Sequence, residues 1–112
     1  MIDTQFVDWQ TSNMNDVDLF RALGNERRLQ ILAWLRDPTA HFPPQRDGDL
    51  IEDGVCGQLI ADKLGINAST LSEHMRVLQV NGLVTAKRIR QWTFYRRDED
   101  RLGTIASIVE AL

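Results

Sequence analysis

A mainly α fold with one small β-hairpin, in the order ααααββα, is what these 112 residues predict, and three observations carry the expectation. Apolar residues recur at helical spacing in four stretches before Gly82 and again after Arg97. In between, the period shifts from 3.6 towards 2, in "LVTAKRIR" and "WTFYRR". All three prolines fall in residues 38–55, which therefore read as an irregular loop. With 43% apolar content, a chain of this length suits one globular domain spanning 1–112.

In chain order, Asp16 precedes Val17, Phe20 and Leu23 at three-residue steps, and Gly24-Asn25 interrupts the pattern. "NERRLQILAWLRD" then places Leu29, Leu32 and Leu35 on one stripe, with Arg27, Arg28 and Arg36 available for the other side. "PTAHFPPQRDGDLIEDG" sustains neither period; it is long for a compact domain and has room for an extra strand. In "CGQLIADKLGI", Leu59, Ile60 and Leu64 mark a short helix ended by Gly65, and Asn67 can cap "ASTLSEHMRVLQVN" as far as Gly82. A two-stranded hairpin turning at Arg90-Gln91 follows. Asp98, Glu99 and Asp100 suit the positive end of a last helix, in which Leu102, Ile105, Val109 and Leu112 repeat.

The net charge of -3 argues against a polyanion partner until its distribution is considered. Residues 63–97 hold Lys63, Arg76, Lys87, Arg88, Arg90, Arg96 and Arg97 against Glu73 alone, a local +6, whereas both flanks are acidic. The basic segment contains the helix of residues 67–81. At ~100° per residue, Leu71, Met75 and Leu78 share one face of that helix while Ser69, Glu73 and Arg76 lie opposite, and His74 sits near the core edge. A short helix, a tight turn and a second helix with small hydroxyls at its start form the layout that enters a DNA major groove. Thr70 and Ser72 can donate to phosphates or base edges, Arg76 can neutralise phosphate and Glu73 can accept from a cytosine amine. Lys87, Arg88 and Arg90 on the hairpin would lie along the backbone as a wing. Trp92, Phe94 and Tyr95 read as hairpin core rather than base-stacking platforms.

"LFRALGNERRLQILAWL" and "IADKLGINASTLSEHMRVLQVNGLVTAKRIRQWTFYRRDED" resemble the ArsR/SmtB family of dimeric winged-helix repressors across roughly residues 17–101. The resemblance implies a winged helix-turn-helix, a homodimer, residues 67–81 as reader and the hairpin as wing, with Ser69, Thr70, Ser72 and His74 at matching reader positions. It also implies that Phe6, Trp9, Met14 and Leu19 join the last helix in the dimer interface, although plain intrachain packing of that stripe is the alternative. Two-fold symmetry then predicts an inverted-repeat operator with half-sites ~34 Å apart. Three positions depart from the pattern: Ala68 replaces a frequent glutamine, Glu73 a frequent histidine, and Arg90 the usual wing-tip glycine, which adds a phosphate contact and restricts the turn. The operator sequence therefore cannot be borrowed from relatives.

Family members often bind metal through Cys-X-Cys at the start of the third helix, or through acids and histidines on the last. Here Cys56 matches the first cysteine, Gln58 stands at the second, and the last helix has no histidine. His41 and Cys56 are the weak metal candidates, so no cofactor is expected. Asp47, Asp49, Glu52 and Asp53 could clasp a hard cation but match no calcium loop. A lone cysteine excludes an intrachain disulfide; near a helix N-terminus, Cys56 would gain some thiolate character. As an enzyme the chain would need Cys56 with His41 or His74 as nucleophile and base, and no catalytic context surrounds them. The first ten residues lack a signal-peptide layout and no apolar run reaches membrane-span length, which points to the cytoplasm. The resulting expectation is a homodimeric, double-stranded-DNA-binding repressor released by some signal. Its alternatives are a winged-helix protein adaptor or a metal- or thiol-responsive form of the repressor.

Overall fold

The structure, a computed structural model, describes residues 16–112. Its helices are α1 (16–23), α2 (Glu26–Arg36), a one-turn α3 (Pro38–His41), α4 (Gly57–Leu64), α5 (Ala68–Val80) and α6 (Glu99–Glu110). Its strands are β1 (Val55–Cys56), β2 (Val84–Ile89) and β3 (Trp92–Arg97). The expected mainly α fold with a β-hairpin is present, arranged as a winged helix-turn-helix. The hairpin is part of a larger sheet: β1 pairs antiparallel with β3, Val55 opposite Tyr95 and Cys56 opposite Phe94, giving the order β1-β3-β2.

The main core is built by Ile60 of α4, Leu71, Met75 and Leu78 of α5, Leu83 and Val84, closed by Ile31, Leu32 and Leu35 of α2 and by Leu19 and Ala22 of α1. Each fully buried aliphatic side chain of this kind contributes about 1.5–3 kcal/mol. Two expected stripes are corrected. On α2, Leu29 is exposed and Ile31 takes its place; on α1, Val17 (52% exposed) and Phe20 (37%) face outward while Leu19 (0%) is buried. The reason is geometric. Three-residue steps advance about 300°, so a strict i, i+3, i+6 series drifts round the helix, and only a mixture of three- and four-residue steps keeps one face.

Leu19, assigned from the family resemblance to a dimer interface, belongs to the chain's own core; Phe6, Trp9 and Met14 lie outside the described residues. The C-terminal stripe divides. Ile105 is buried, Leu102 and Ile108 pack partly against the same core, and Val109 and Leu112 (94% exposed) point away. Asp98 does cap α6, its Oδ1 accepting from the Arg101 N–H at 3.0 Å.

Residues 38–55, expected as an irregular loop, are ordered partly by their own side chains and partly by the sheet they cover. Pro38 starts α3, where its missing N–H costs nothing. Asp49 makes a tight turn: its Oδ2 accepts from Ile51 and Glu52 N–H (3.0 and 2.8 Å), and Asp53 Oδ2 accepts from Asp49 N–H (2.8 Å) in return. Gln45 acts as a substitute backbone, Nε2 donating to Gly54 O (2.6 Å) and Oε1 accepting from Cys56 N–H (3.0 Å). Gly54, at φ 106, must be glycine: a Cβ there would stand 2.4 Å from the Tyr95 carbonyl oxygen. The segment folds over the outer face of the sheet, with Gly48 against the Phe94 ring.

Candidate nucleic-acid interface

The helix-turn-helix is local chemistry throughout. Gly65 ends α4 in the left-handed region (φ 72), donating to Asp62 O at 3.1 Å, and the Ile66 N–H reaches Ala61 O. Asn67 then caps α5, its Oδ1 accepting from Thr70 N–H (2.8 Å) and from the Ser69 hydroxyl (2.9 Å). With Leu71, Met75 and Leu78 buried, Ser69, Ser72, Glu73 and Arg76 are left exposed, while Thr70 and His74 are half-buried on the flank. Glu73 and Arg76 form a bidentate pair (Nε–Oε1 3.1 Å, Nη2–Oε2 2.7 Å), which holds the Glu73 carboxyl below the usual carboxylate range. Arg76 thus meets any polyanion already paired.

The wing lies beside the start of this helix: Ala68 and Ser72 of α5 and Trp92 and Thr93 of β3 line one cavity of about 130 Å³. Opposed residues of the hairpin share a face, and the register pairs Arg88 with Thr93, Lys87 with Phe94 and Ala86 with Tyr95. Arg88 therefore shares the helix-facing side with Tyr95 and buried Val84. Lys87 takes the outer side with Phe94, where its Nζ meets Asp53 Oδ1 at 2.5 Å. At the tip Arg90 adopts φ 56, the one non-glycine residue with positive φ among those described, and its carbonyl accepts from Arg88 Nε (3.1 Å). Phe94 is buried, and Trp92 and Tyr95 half-buried, as hairpin core requires.

The basic segment is thus sorted by the fold. Arg96 donates to the Glu52 carbonyl (2.5 Å), Arg97 to the Leu32 carbonyl (3.1 Å) and to Glu99, and the Lys63 ammonium lies 5.1 Å from the Trp34 ring centroid. Lys63, Arg88, Arg90 and Arg96 meet no carboxylate among the described residues; of these, Lys63 is engaged by a ring and Arg96 by a carbonyl, so Arg88 and Arg90 are the two with no partner outside the hairpin among the described residues. Arg28, which sequence reasoning left on the solvent side of α2, instead bridges α1 and α5: Nε donates to Ala22 O (2.7 Å) and Nη1 lies 3.2 Å from His74 Nδ1. Periodicity holds no signal for such a bridge.

Of the weak metal candidates, Cys56 precedes α4 as a half-buried free thiol and His41 ends α3, exposed. Among the described residues no three potential ligands of the His, Cys, Asp and Glu types converge. The carboxylates of Asp49 and Asp53 are engaged by backbone N–H groups and Lys87.

No family model matches the chain. An HTH-type transcriptional regulator of Bacillus subtilis, YbzH, is 42% identical over 97 residues, covering 87% of this chain and 97% of the relative. The chain belongs to the HTH-type transcriptional regulators. HlyU of Vibrio cholerae, a transcriptional activator, is 29% identical over 86% of this chain and 75% of its own. The reduced HlyU structure superposes with a TM-score of 0.58, at 25% identity, covering 93% of this chain and 95% of that one. A homodimeric winged helix-turn-helix DNA-binding domain from Mycobacterium bovis gives 0.63 at 28% identity, over 93% and 84%. These regulators are not enzymes, and no described helix of this member is long and apolar enough to cross a membrane.

Proposed function

We propose that this HTH-type regulator is an ArsR-type cytoplasmic homodimer that binds an inverted-repeat operator in double-stranded DNA and represses until a signal releases it. One observation carries the reading: the exposed Ser69, Ser72, Glu73 and Arg76 of α5 and the cations Arg88 and Arg90 of the wing lie on adjoining elements. Ser69, Thr70, Ser72, Glu73 and His74 bias the sequence, while Arg88 and Arg90 supply most of the affinity and Arg76 and Lys87, already paired with Glu73 and Asp53, add less. Val17 and Phe20 on α1, with Val109 and Leu112 on α6, supply apolar surface for a second copy. Occupancy of a promoter by such a dimer blocks transcription; since HlyU is named an activator, a reporter assay decides the sign.

The test is a mobility shift with a duplex selected from a random pool, repeated across salt. Log affinity should fall linearly with log salt, by about 0.9 per phosphate neutralised. The footprint should show two half-sites ~34 Å apart. A shift insensitive to salt, or none with any duplex, overturns the reading, and a monomer by sedimentation overturns the dimer.

A further inference from the structure

Arg28 sits where three helices meet. Besides Nε on the Ala22 carbonyl, Nη2 donates to the Arg21 carbonyl (3.3 Å), so α2 grips the C-terminal end of α1. Its Nη1 reaches across to His74 Nδ1 on α5 (3.2 Å). A guanidinium carries donors alone and keeps its proton in proteins. The ring nitrogen facing it must therefore be the acceptor, and the proton of the neutral imidazole resides on Nε2.

We propose that Arg28 is a positioning residue of the DNA interface: it locks His74 as the neutral Nε2–H tautomer, so that His74 offers DNA a single donor. This rests on the DNA-binding reading above. The matching group on DNA is then an acceptor, namely a purine N7, guanine O6, thymine O4 or a phosphate oxygen, and the cytosine amine is excluded. The surroundings support the neutral ring. Arg27 and Arg28 of α2 face it, Glu73 precedes it on α5 and is held by Arg76, and Arg21 and Asp18 of α1 pair with each other at 3.9 Å. Burial, and then the two arginines, push the His74 pKa below the ordinary 6.5.

The lock has an unusual consequence for pH. A free histidine beside DNA gains charge on acidification and strengthens binding. At His74, protonation sets an Nδ1–H against the Arg28 N–H, opening the bridge between α5 and the end of α1, so binding weakens.

Nitrogen-correlated NMR spectra of the free protein test the lock directly, because the chain has two histidines and the His74 signals are assigned by their loss in His74→Gln. His74 should appear wholly as the Nε2–H tautomer and titrate below the ordinary 6.5. In Arg28→Ala it should become a tautomer mixture that titrates higher than in the wild type, burial still holding it below the ordinary 6.5. An Nδ1–H signal in the wild type, or unchanged titration in Arg28→Ala, overturns the proposal. His74→Gln leaves the bonds from Arg28 to α1 in place and removes the titration. With the selected duplex at constant salt, wild-type affinity should fall as the pH is lowered through the His74 titration seen in the spectra, while His74→Gln stays flat. Wild-type affinity that rises on acidification overturns the lock. Absence of any DNA shift defeats the DNA-binding reading instead, and the spectra still decide the tautomer.

Discussion

On the outer face of the sheet, Lys87 and Arg96 are held by Asp53 and the Glu52 carbonyl, whereas on the face turned towards α5 and at the tip, Arg88 and Arg90 meet no carboxylate among the described residues. The residues are alike in charge and close in sequence, yet alternation along a strand sends neighbours to opposite environments. The outer cations fasten residues 38–55 to the wing; the inner and terminal ones remain available to a polyanion. A local +6 therefore overstates the charge this wing can bring to a phosphate backbone.

The strongest way to break the contrast is to detach the loop. Gly54→Ala forces a Cβ against the Tyr95 carbonyl at a positive φ, and should destabilise the fold by roughly 3 kcal/mol in chemical denaturation. Unchanged stability would mean that the loop does not brace the sheet. The next effect compares the two faces. Arg88→Ala should weaken binding about tenfold on all sequences alike and reduce the salt slope by about 0.9, whereas Lys87→Ala should cost about twofold or less. Equal losses would erase the distinction, and a loss confined to one base pair would make Arg88 a reader.

At the tip, Arg90→Gly should act in opposite directions. It relieves the left-handed backbone, raising stability by roughly 0.5–1 kcal/mol, and removes a cation, so the salt slope falls. The smallest effect is a pH dependence. The hydrogen bond from Lys87, followed by that from the Asp49 backbone, lowers the Asp53 pKa from the ordinary 3.8. Its contribution is therefore present above the unfolded-state value and lost as pH falls through the folded one. The urea midpoints of the wild type and Asp53→Asn should differ at about pH 6 and converge towards about pH 3; a gap that persists at low pH would assign the effect to packing.

Much of the site was legible because it is written locally. Gly65, Asn67 and the apolar period of α5 specify turn, cap and exposed face within a few residues of one another, and Asp98 caps α6 in the same way. Leu29 and Val17 misled because three-residue spacing alone does not fix which side of a helix is inward. Residues 38–55 misled for another reason: the partners that order them, Tyr95, Arg96 and Lys87, lie some forty residues away.

By itself the sequence determined the helix-turn-helix, the hairpin with its turn at Arg90-Gln91, and which residue types could face a nucleic acid, since caps, turns and periodicity act over short separations. Tertiary structure alone decided which cations stay unpaired, that Leu19 serves the chain's own core, and that Arg28 reaches His74. Those outcomes depend on which distant groups meet, and composition and spacing do not encode that.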